Sequence, residues 1–207
     1  MRGLFLVLEG IDGAGTTTQR GRLHAWLTQL GYAAHPTAEP SSGPIGRLIR
    51  QFLGSLDEPL EPRAMALLFA ADRRDHIVRE ITPRLEAGAI VLSDRYVLSS
   101  LAYQTTASVP REIVAQANAD ILKPDLTLYF DLPVAVAAER RARRAGAVEI
   151  YDADAVQARV HATYRAEAEA LRARGEPVVF IRAERDPDAV EAELRAAITP
   201  LLPARSA

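Results

Sequence analysis

Short apolar runs recur along the chain at residues 4–8, 89–92, 126–130 and 178–181, with a weaker one near 32–35. Their length and composition predict strands. Between them, apolar residues return at helical spacing. Leu23, Trp26, Leu27 and Leu30 fall at i, i+3, i+4 and i+7, one face of a helix that Gly31 ends. Met65, Leu68 and Phe69 repeat the spacing in a second long helix, closing near Thr82-Pro83. Stretches rich in Ala, Arg and Glu at 134–144, 155–174 and 187–198 predict three more. Strands alternating with helices predict βαβ units and a parallel sheet covered on both faces. Such a sheet binds ligands beyond the carboxyl ends of its strands, so the residues after each apolar run carry the most information. No repeat and no Gly/Ser linker interrupts the pattern, which predicts one domain over 1–207. The stretch 145–154 breaks helical patterning around Gly146 and predicts a loop.

Composition narrows the class without naming it. The net charge of -2 predicts no nucleic-acid surface, and the absence of cysteine excludes disulfides, thiolate metal sites and cysteine nucleophiles. The opening Met1-Arg2-Gly3-Leu4-Phe5 resembles a signal peptide, but Glu9 and Asp12 interrupt the apolar run at once. No apolar stretch approaches the length of a membrane span. A soluble, cytoplasmic protein is expected.

After the first strand comes Gly10-Ile11-Asp12-Gly13-Ala14-Gly15-Thr16-Thr17-Thr18, which opens the Leu23/Trp26 helix. Strand, glycine-rich turn and helix form the context of a phosphate loop, in which backbone N–H groups and a helix N-terminus face phosphate oxygens. Residues 10–18 are therefore the candidate ATP site, and the Thr17 hydroxyl stands where it would ligate Mg²⁺. The usual pattern is G-x-x-x-x-G-K-[ST]; here Thr16 replaces the lysine. A threonine offers one neutral hydrogen bond where a lysine brings a full charge.

After the third apolar run comes Ser93-Asp94-Arg95-Tyr96, then Ser99, Ser100, Tyr103 and Gln104. An acid and an arginine leave the sheet edge together. Ser99 with Tyr103, and Ser100 with Gln104, share helix faces. Arg95 suits bidentate phosphate binding and Asp94 could orient Mg²⁺. The residues alone leave open a surface Asp–Arg pair followed by a polar helix, and Phe69 alone would read as core.

The chain resembles thymidylate kinases. That family shows D-R-[YFH]-x-x-S-x-x-A-[YF]-Q, matched by Asp94, Arg95, Ser99, Ala102, Tyr103 and Gln104. It also shows L-F-A-A-D-R-x-x-H, reproduced from Leu68 to His76, and a strand motif matched by Leu122-Lys123-Pro124-Asp125-Leu126-Thr127 and Phe130-Asp131-Leu132-Pro133. The resemblance runs from about Leu4 to Tyr164. It implies a P-loop NTPase-type three-layer α/β fold with a parallel five-stranded sheet and a short lid at about 140–154. The implied activity is transfer of the γ-phosphate of ATP, with Mg²⁺, to dTMP in dTTP biosynthesis, by a homodimer.

Roles carry over residue by residue. The resemblance implies that Phe69 stacks on thymine, that Arg73, Gln104 and Ser99 read the base edge, and that Arg95 holds the acceptor phosphate. Tyr103 would pack against the sugar and disfavour a 2′-hydroxyl. Asp12 would face the acceptor or the transferred group, with Glu39 lining the acceptor site and Tyr164 near the base. The catalytic set is Asp12, Arg95, Arg143 and Arg144. The two lid arginines enter because the loop lacks its own, and Arg140 and Arg141 lie slightly earlier. Bacterial-type members carry T-R-E-P-G-G-T-x-x-G, where this chain has Thr37-Ala38-Glu39-Pro40-Ser41-Ser42-Gly43-Pro44-Ile45-Gly46. The arginine and the glycine pair are gone. Two alternatives stay open: a kinase for another nucleoside monophosphate, and a weak or silent nucleotide-binding protein.

Overall fold

In the computed structural model, which describes residues 2–55, 59–143 and 153–204, five parallel strands form one sheet. They are β1 (Phe5–Glu9), β2 (Ala34–Ala38), β3 (Ile90–Asp94), β4 (Leu126–Asp131) and β5 (Val178–Arg182), in the order β2-β3-β1-β4-β5. Every residue of β1 and β3 is buried, as central strands covered on both faces require. Pro36, which has no N–H to donate, sits in the edge strand β2. Four strands run past their apolar stretch to a charged residue: Glu9, Asp94, Asp131 and Arg182. Pairing uses the backbone alone, so polar side chains are carried to the carboxyl edge. The weak run placed near 32–35 pairs somewhat later, from Ala34.

Helices α1 (Thr16–Gln29), α2 (Pro44–Leu53), α3 (Pro62–His76), α4 (Thr82–Glu86), α5 (Val97–Thr106), α6 (Arg111–Ala117), α7 (Val134–Ala142), α8 (Asp154–Ala173) and α9 (Pro187–Ile198) cover the sheet. Leu23 and Leu27 of α1 are fully buried, and Gly31 takes φ 81° just after the helix ends. The second long helix does not close at Thr82-Pro83. A π-helical turn, Ile77–Ile81, joins α3 to α4, and Pro83 lies in the first turn of α4. A widened turn ahead of the proline makes room for its ring and leaves its missing N–H without consequence. No periodicity had flagged α2 or α6.

Alternate residues of β1 feed opposite layers. Leu6 and Leu8 pack with Leu23, Leu27, Val160 and Leu194, whereas Phe5 and Val7 pack with Ile81, Leu85 and Tyr96. From β1 the chain passes to β2 and β3 on one side, then crosses to β4 on the other. The neighbours β1 and β3 therefore send their following segments in opposite directions. The crevice between their carboxyl ends is the topological switch point, where ligands of such sheets bind. Register puts Leu8 opposite Asp94, so the two strands end within one residue of each other.

The turn before α2 is anchored from α3. The backbone N–H and hydroxyl of Ser41 both donate to Asp72, each at 2.6 Å. Gly46 packs directly on this turn, and a Cβ there would lie 2.0 Å from the Ser41 carbonyl oxygen. Gly46→Ala is therefore expected to cost about 1–3 kcal/mol through overpacking against backbone, lowering the melting temperature by roughly 2–4 °C for each kcal/mol. Thermal denaturation followed by circular dichroism checks this, and an unchanged Tm would contradict it.

Candidate active site

The phosphate loop bridges β1 and α1. Gly13 and Gly15 take φ of 90° and 92°, a left-handed conformation that side-chain-bearing residues rarely adopt. Ile11 and Ala14 turn into the core, so they offer a ligand their backbone only. No side chain caps α1, which leaves the amides of its first turn directed at the cleft. Thr17 donates its hydroxyl to Asp94 Oδ2 at 2.5 Å. The other carboxylate oxygen of Asp94 is buried without a hydrogen-bond partner among the described residues. A hydroxyl beside a half-used carboxylate is a donor set that fits Mg²⁺, whose remaining ligands would come from phosphate and water.

Across the switch point, Arg95 meets Asp12. Its Nη2 donates to Asp12 Oδ1 at 2.5 Å, while Nη1 reaches the Gly10 carbonyl at 3.3 Å. Arg95 holds φ 74°, a left-handed backbone that costs a non-glycine residue on the order of 1–3 kcal/mol. Its N–H donates to the Leu8 carbonyl at 2.8 Å, and Ser93 donates its hydroxyl to the Arg95 carbonyl, also at 2.8 Å. These bonds hold the strained residue in place. Asp12 Oδ2 accepts from the Tyr103 hydroxyl at 2.8 Å and from Gln157 at 3.1 Å. Burial works to raise the Asp12 pKa, but Arg95, Tyr103, Gln157 and Arg141 outweigh it and hold the carboxyl below its ordinary value.

Behind this pair lies Glu9, fully buried. One of its oxygens accepts from the N–H groups of Tyr96 and Ser99, at 2.9 and 3.2 Å. The other accepts from the hydroxyls of Ser99 and Tyr164, at 2.6 and 2.9 Å. Tyr164 is itself buried and stacks on Tyr129 with centroids 5.7 Å apart. Tyr164 thus buttresses α5 through Ser99 and Glu9 rather than lining the cleft. Ser99 does line it, but its hydroxyl is already bonded to Glu9.

The cleft has a volume of about 1090 Å³ and runs from the phosphate loop to Phe69, Ser100 and Gln104. Tyr103 and Arg95 line it too, both bonded to Asp12. Phe69 serves both readings made of it, lining the cleft and packing on Ile49, Leu53 and Met65. Gln104 is buried, and its Oε1 has no partner among the described residues. Arg73, expected as a reader of the base, does not line the cleft. Its three guanidinium nitrogens donate to Glu39, Asn118, the Tyr96 carbonyl and Ser100. An arginine so deeply buried needs protein acceptors, and here each guanidinium nitrogen has at least one. Glu39 lines the cleft with its carboxylate clamped by Arg73, at 2.8 Å from Nε.

The lid arginines divide by helix face. Arg141 donates to the Asp12 carbonyl at 2.9 Å and pairs with Asp154 at 2.7 Å. Arg140 turns to the Ala183 carbonyl at 2.8 Å. Arg143, expected at the phosphates, is exposed at the end of α7 and does not line the cleft. Arg144 lies outside the described residues. Sequence reading also missed Arg50, whose guanidinium lines the cleft and donates to the Pro40 and Ser41 carbonyls. It missed Glu9 and Gln157 as well. Glu9 could have been found, since an acid ending a central strand cannot reach bulk water.

Glu9 makes stability depend on pH in a defined direction. Burial raises its pKa above the ordinary 4.5, with Ser99, Tyr164 and Arg95 offsetting only part of the effect. The folded state therefore binds the proton more tightly than the unfolded chain. Stability is lost as pH rises from about the ordinary value and levels off beyond the folded pKa. Glu9→Gln keeps an acceptor for the two N–H groups and an amide for the two hydroxyls, which can turn their protons. The Tm of Glu9→Gln minus that of the native protein should climb between about pH 4 and pH 8. A difference that stays flat in melting curves across this range would show that Glu9 does not titrate as described.

The chain is similar in sequence to known proteins. The thymidylate kinase family model matches residues 8–194. A protein of Pyrobaculum aerophilum named "Probable thymidylate kinase" is 43% identical over 193 residues, covering 92% of this chain and 93% of its own. A "Thymidylate kinase" of Leifsonia xyli subsp. xyli is 40% identical over 199 residues, covering 93% of both chains. The matched span takes in the phosphate loop, the Asp94-Arg95 edge and the helices whose residues line the cleft, so the chain belongs to the thymidylate kinase family.

Proposed function

We propose that the chain transfers the γ-phosphate of ATP to dTMP, in dTTP biosynthesis, acting as one kinase domain over 1–207 with both substrates in the single cleft. The observation that carries this reading is Arg95 at the sheet's switch point, paired with Asp12 of the phosphate loop in the same cleft as Phe69 and Gln104. The triphosphate lies on the amides of residues 10–18. The acceptor's base lies at the far end, stacked on Phe69, with the unused Gln104 Oε1 accepting from the thymine imide N–H. Arg73 acts through Ser100 and Glu39 rather than by touching the base. Tyr103 packs where a 2′-hydroxyl would fall. Ser99 and Tyr164 keep the acceptor helix in register through Glu9.

The chemistry is a displacement at phosphorus. An oxygen of the acceptor's phosphate bonds to the γ-phosphorus, the bond from that phosphorus to the β,γ-bridging oxygen breaks, and ADP leaves with the electron pair. Catalysis of such a step is positioning and charge stabilisation. Arg95 can trade its Asp12 contact for the acceptor phosphate, and Arg50 offers a second cation at the same end of the cleft. Thr17 and Asp94 would hold Mg²⁺, which when bound neutralises charge on the β- and γ-oxygens. Asp12 stays ionised and orients Arg95 and Tyr103. A homodimer through the flanking helices belongs to the same reading, and the exposed Leu67 and Val78 give it an apolar face.

A coupled assay of ATP with each monophosphate tests the assignment. dTMP should show the highest kcat/KM, with dUMP lower by about tenfold for its missing methyl group. A higher kcat/KM for dCMP or dGMP would overturn the assignment. Arg95→Ala should cost about 2–4 kcal/mol in kcat/KM, chiefly through KM for dTMP. Unchanged kinetics in that variant would remove Arg95 from the site.

A further inference from the structure

One face of α3 carries Phe69, Asp72, Arg73 and His76, at i, i+3, i+4 and i+7. Phe69 lines the cleft, Asp72 holds the turn at Ser41, and Arg73 clamps Glu39. The fourth, His76, does not line the cleft, and its side chain is 0% exposed. A buried imidazole needs a partner for each ring nitrogen. Nε2 lies 2.8 Å from the Thr37 hydroxyl, and Nδ1 lies 3.3 Å from Glu39 Oε1. A carboxylate can only accept, so Nδ1 carries the proton and donates it to Glu39.

Through Glu39 that bond reaches the cleft. The Glu39 N–H donates to the Asp94 carbonyl at 3.0 Å, which fixes its main chain to β3. Its side chain is then held by one group on each oxygen. Arg73 takes Oε2, from Nε at 2.8 Å and Nη2 at 2.7 Å, and His76 takes Oε1. The carboxylate cannot turn without breaking one of these bonds. His76 is braced in its turn: Thr37 belongs to β2, and Glu80 of the π-helical turn stands 3.7 Å from Nε2 with its other oxygen on His35 at 2.9 Å. A carboxylate beside an anionic ligand is unfavourable unless its charge is drawn away. Arg73 and His76 both draw on Glu39 from behind the cleft wall.

We propose that His76 is a positioning residue for the acceptor nucleotide: it orients and screens the Glu39 carboxylate from behind the wall, and so sets the affinity for a nucleoside monophosphate that it never touches. This rests on the reading of the Phe69/Gln104 end as the acceptor site. His76 takes no part in the transfer itself; its effect falls on binding of the acceptor.

The test uses the shape of the ring. An asparagine amide nitrogen superposes on Nδ1 of histidine, and a glutamine amide nitrogen on Nε2. His76→Asn therefore keeps a donor for Glu39, whereas His76→Gln keeps only the Thr37 contact. Asparagine leaves the larger void, so its Tm should fall further. Affinity for dTMP, measured by calorimetry, should rank the other way: near native for His76→Asn and weaker by about tenfold for His76→Gln. Affinity for a non-hydrolysable ATP analogue, and kcat, should stay near native in both. In a Glu39→Gln background, His76→Gln should weaken dTMP binding no further. Equal losses of dTMP affinity in the two variants, or losses that follow Tm, would overturn the proposal. So would the same tenfold loss once Glu39 has been changed. If the native protein binds no dTMP, the acceptor reading fails instead, and ¹⁵N NMR of the imidazole still decides the role of His76. A proton on Nδ1, with a resonance that moves in Glu39→Gln, supports the bond to Glu39, and an unprotonated Nδ1 overturns it.

Discussion

Asp12 and Arg95 follow neighbouring parallel strands and meet across the crevice where those strands' connections diverge. Much of the cleft depends on that contact. Arg95 can hold its left-handed backbone because Asp12, the Leu8 carbonyl and the Ser93 hydroxyl restrain it from three directions. Tyr103 and Gln157 converge on the same carboxylate, so α5 and α8 are referenced to one residue of the phosphate loop. A charge pair in a partly desolvated crevice is stronger than one at the surface. It also forms a ready exchange site: when a phosphate arrives, the arginine can change partners without moving its backbone.

Behind the cleft, buried ionisable groups perform a different task. Glu9, Arg73, Asp72 and His76 are almost fully buried, and each is surrounded by polar partners. Removing one partner would leave an uncompensated charge, whereas the complete set ties β1, the turn after β2, α3 and α5 together. These bonds tie together the cleft wall that carries Glu39, Ser99 and Ser100. The Asp72–Ser41 contact also bears on the altered segment after β2. Where relatives of the bacterial type have a glycine pair, Ser41 contributes a hydroxyl that satisfies Asp72 at 2.6 Å. The lost arginine of that segment has a neighbour in Arg50, one helix further on and facing the same cleft.

The apolar runs, their spacing and the punctuating glycines were sufficient for a parallel sheet with helices on both faces. Local sequence also specified the phosphate loop, since Gly13 and Gly15 are needed where φ is positive. The signature from Asp94 to Gln104 placed acid, arginine, hydroxyl and amide on one edge, because strand ends and helix spacing are local rules. What could not be read was which partner each charge would meet. Arg73 stands in the motif but is enclosed by Glu39, Asn118 and Ser100, groups from three other parts of the chain. Arg141 rather than Arg143 reaches the loop, because the rotation of α7 is set by the close approach of Ala137 to Gly13. Glu9 is buried only once α5 and α8 close over β1. The sequence by itself determined the alternation of strands and helices, the loop and the chemical groups available at the sheet edge. Tertiary structure decided which of them face substrate, since burial and pairing depend on contacts between segments far apart in the chain.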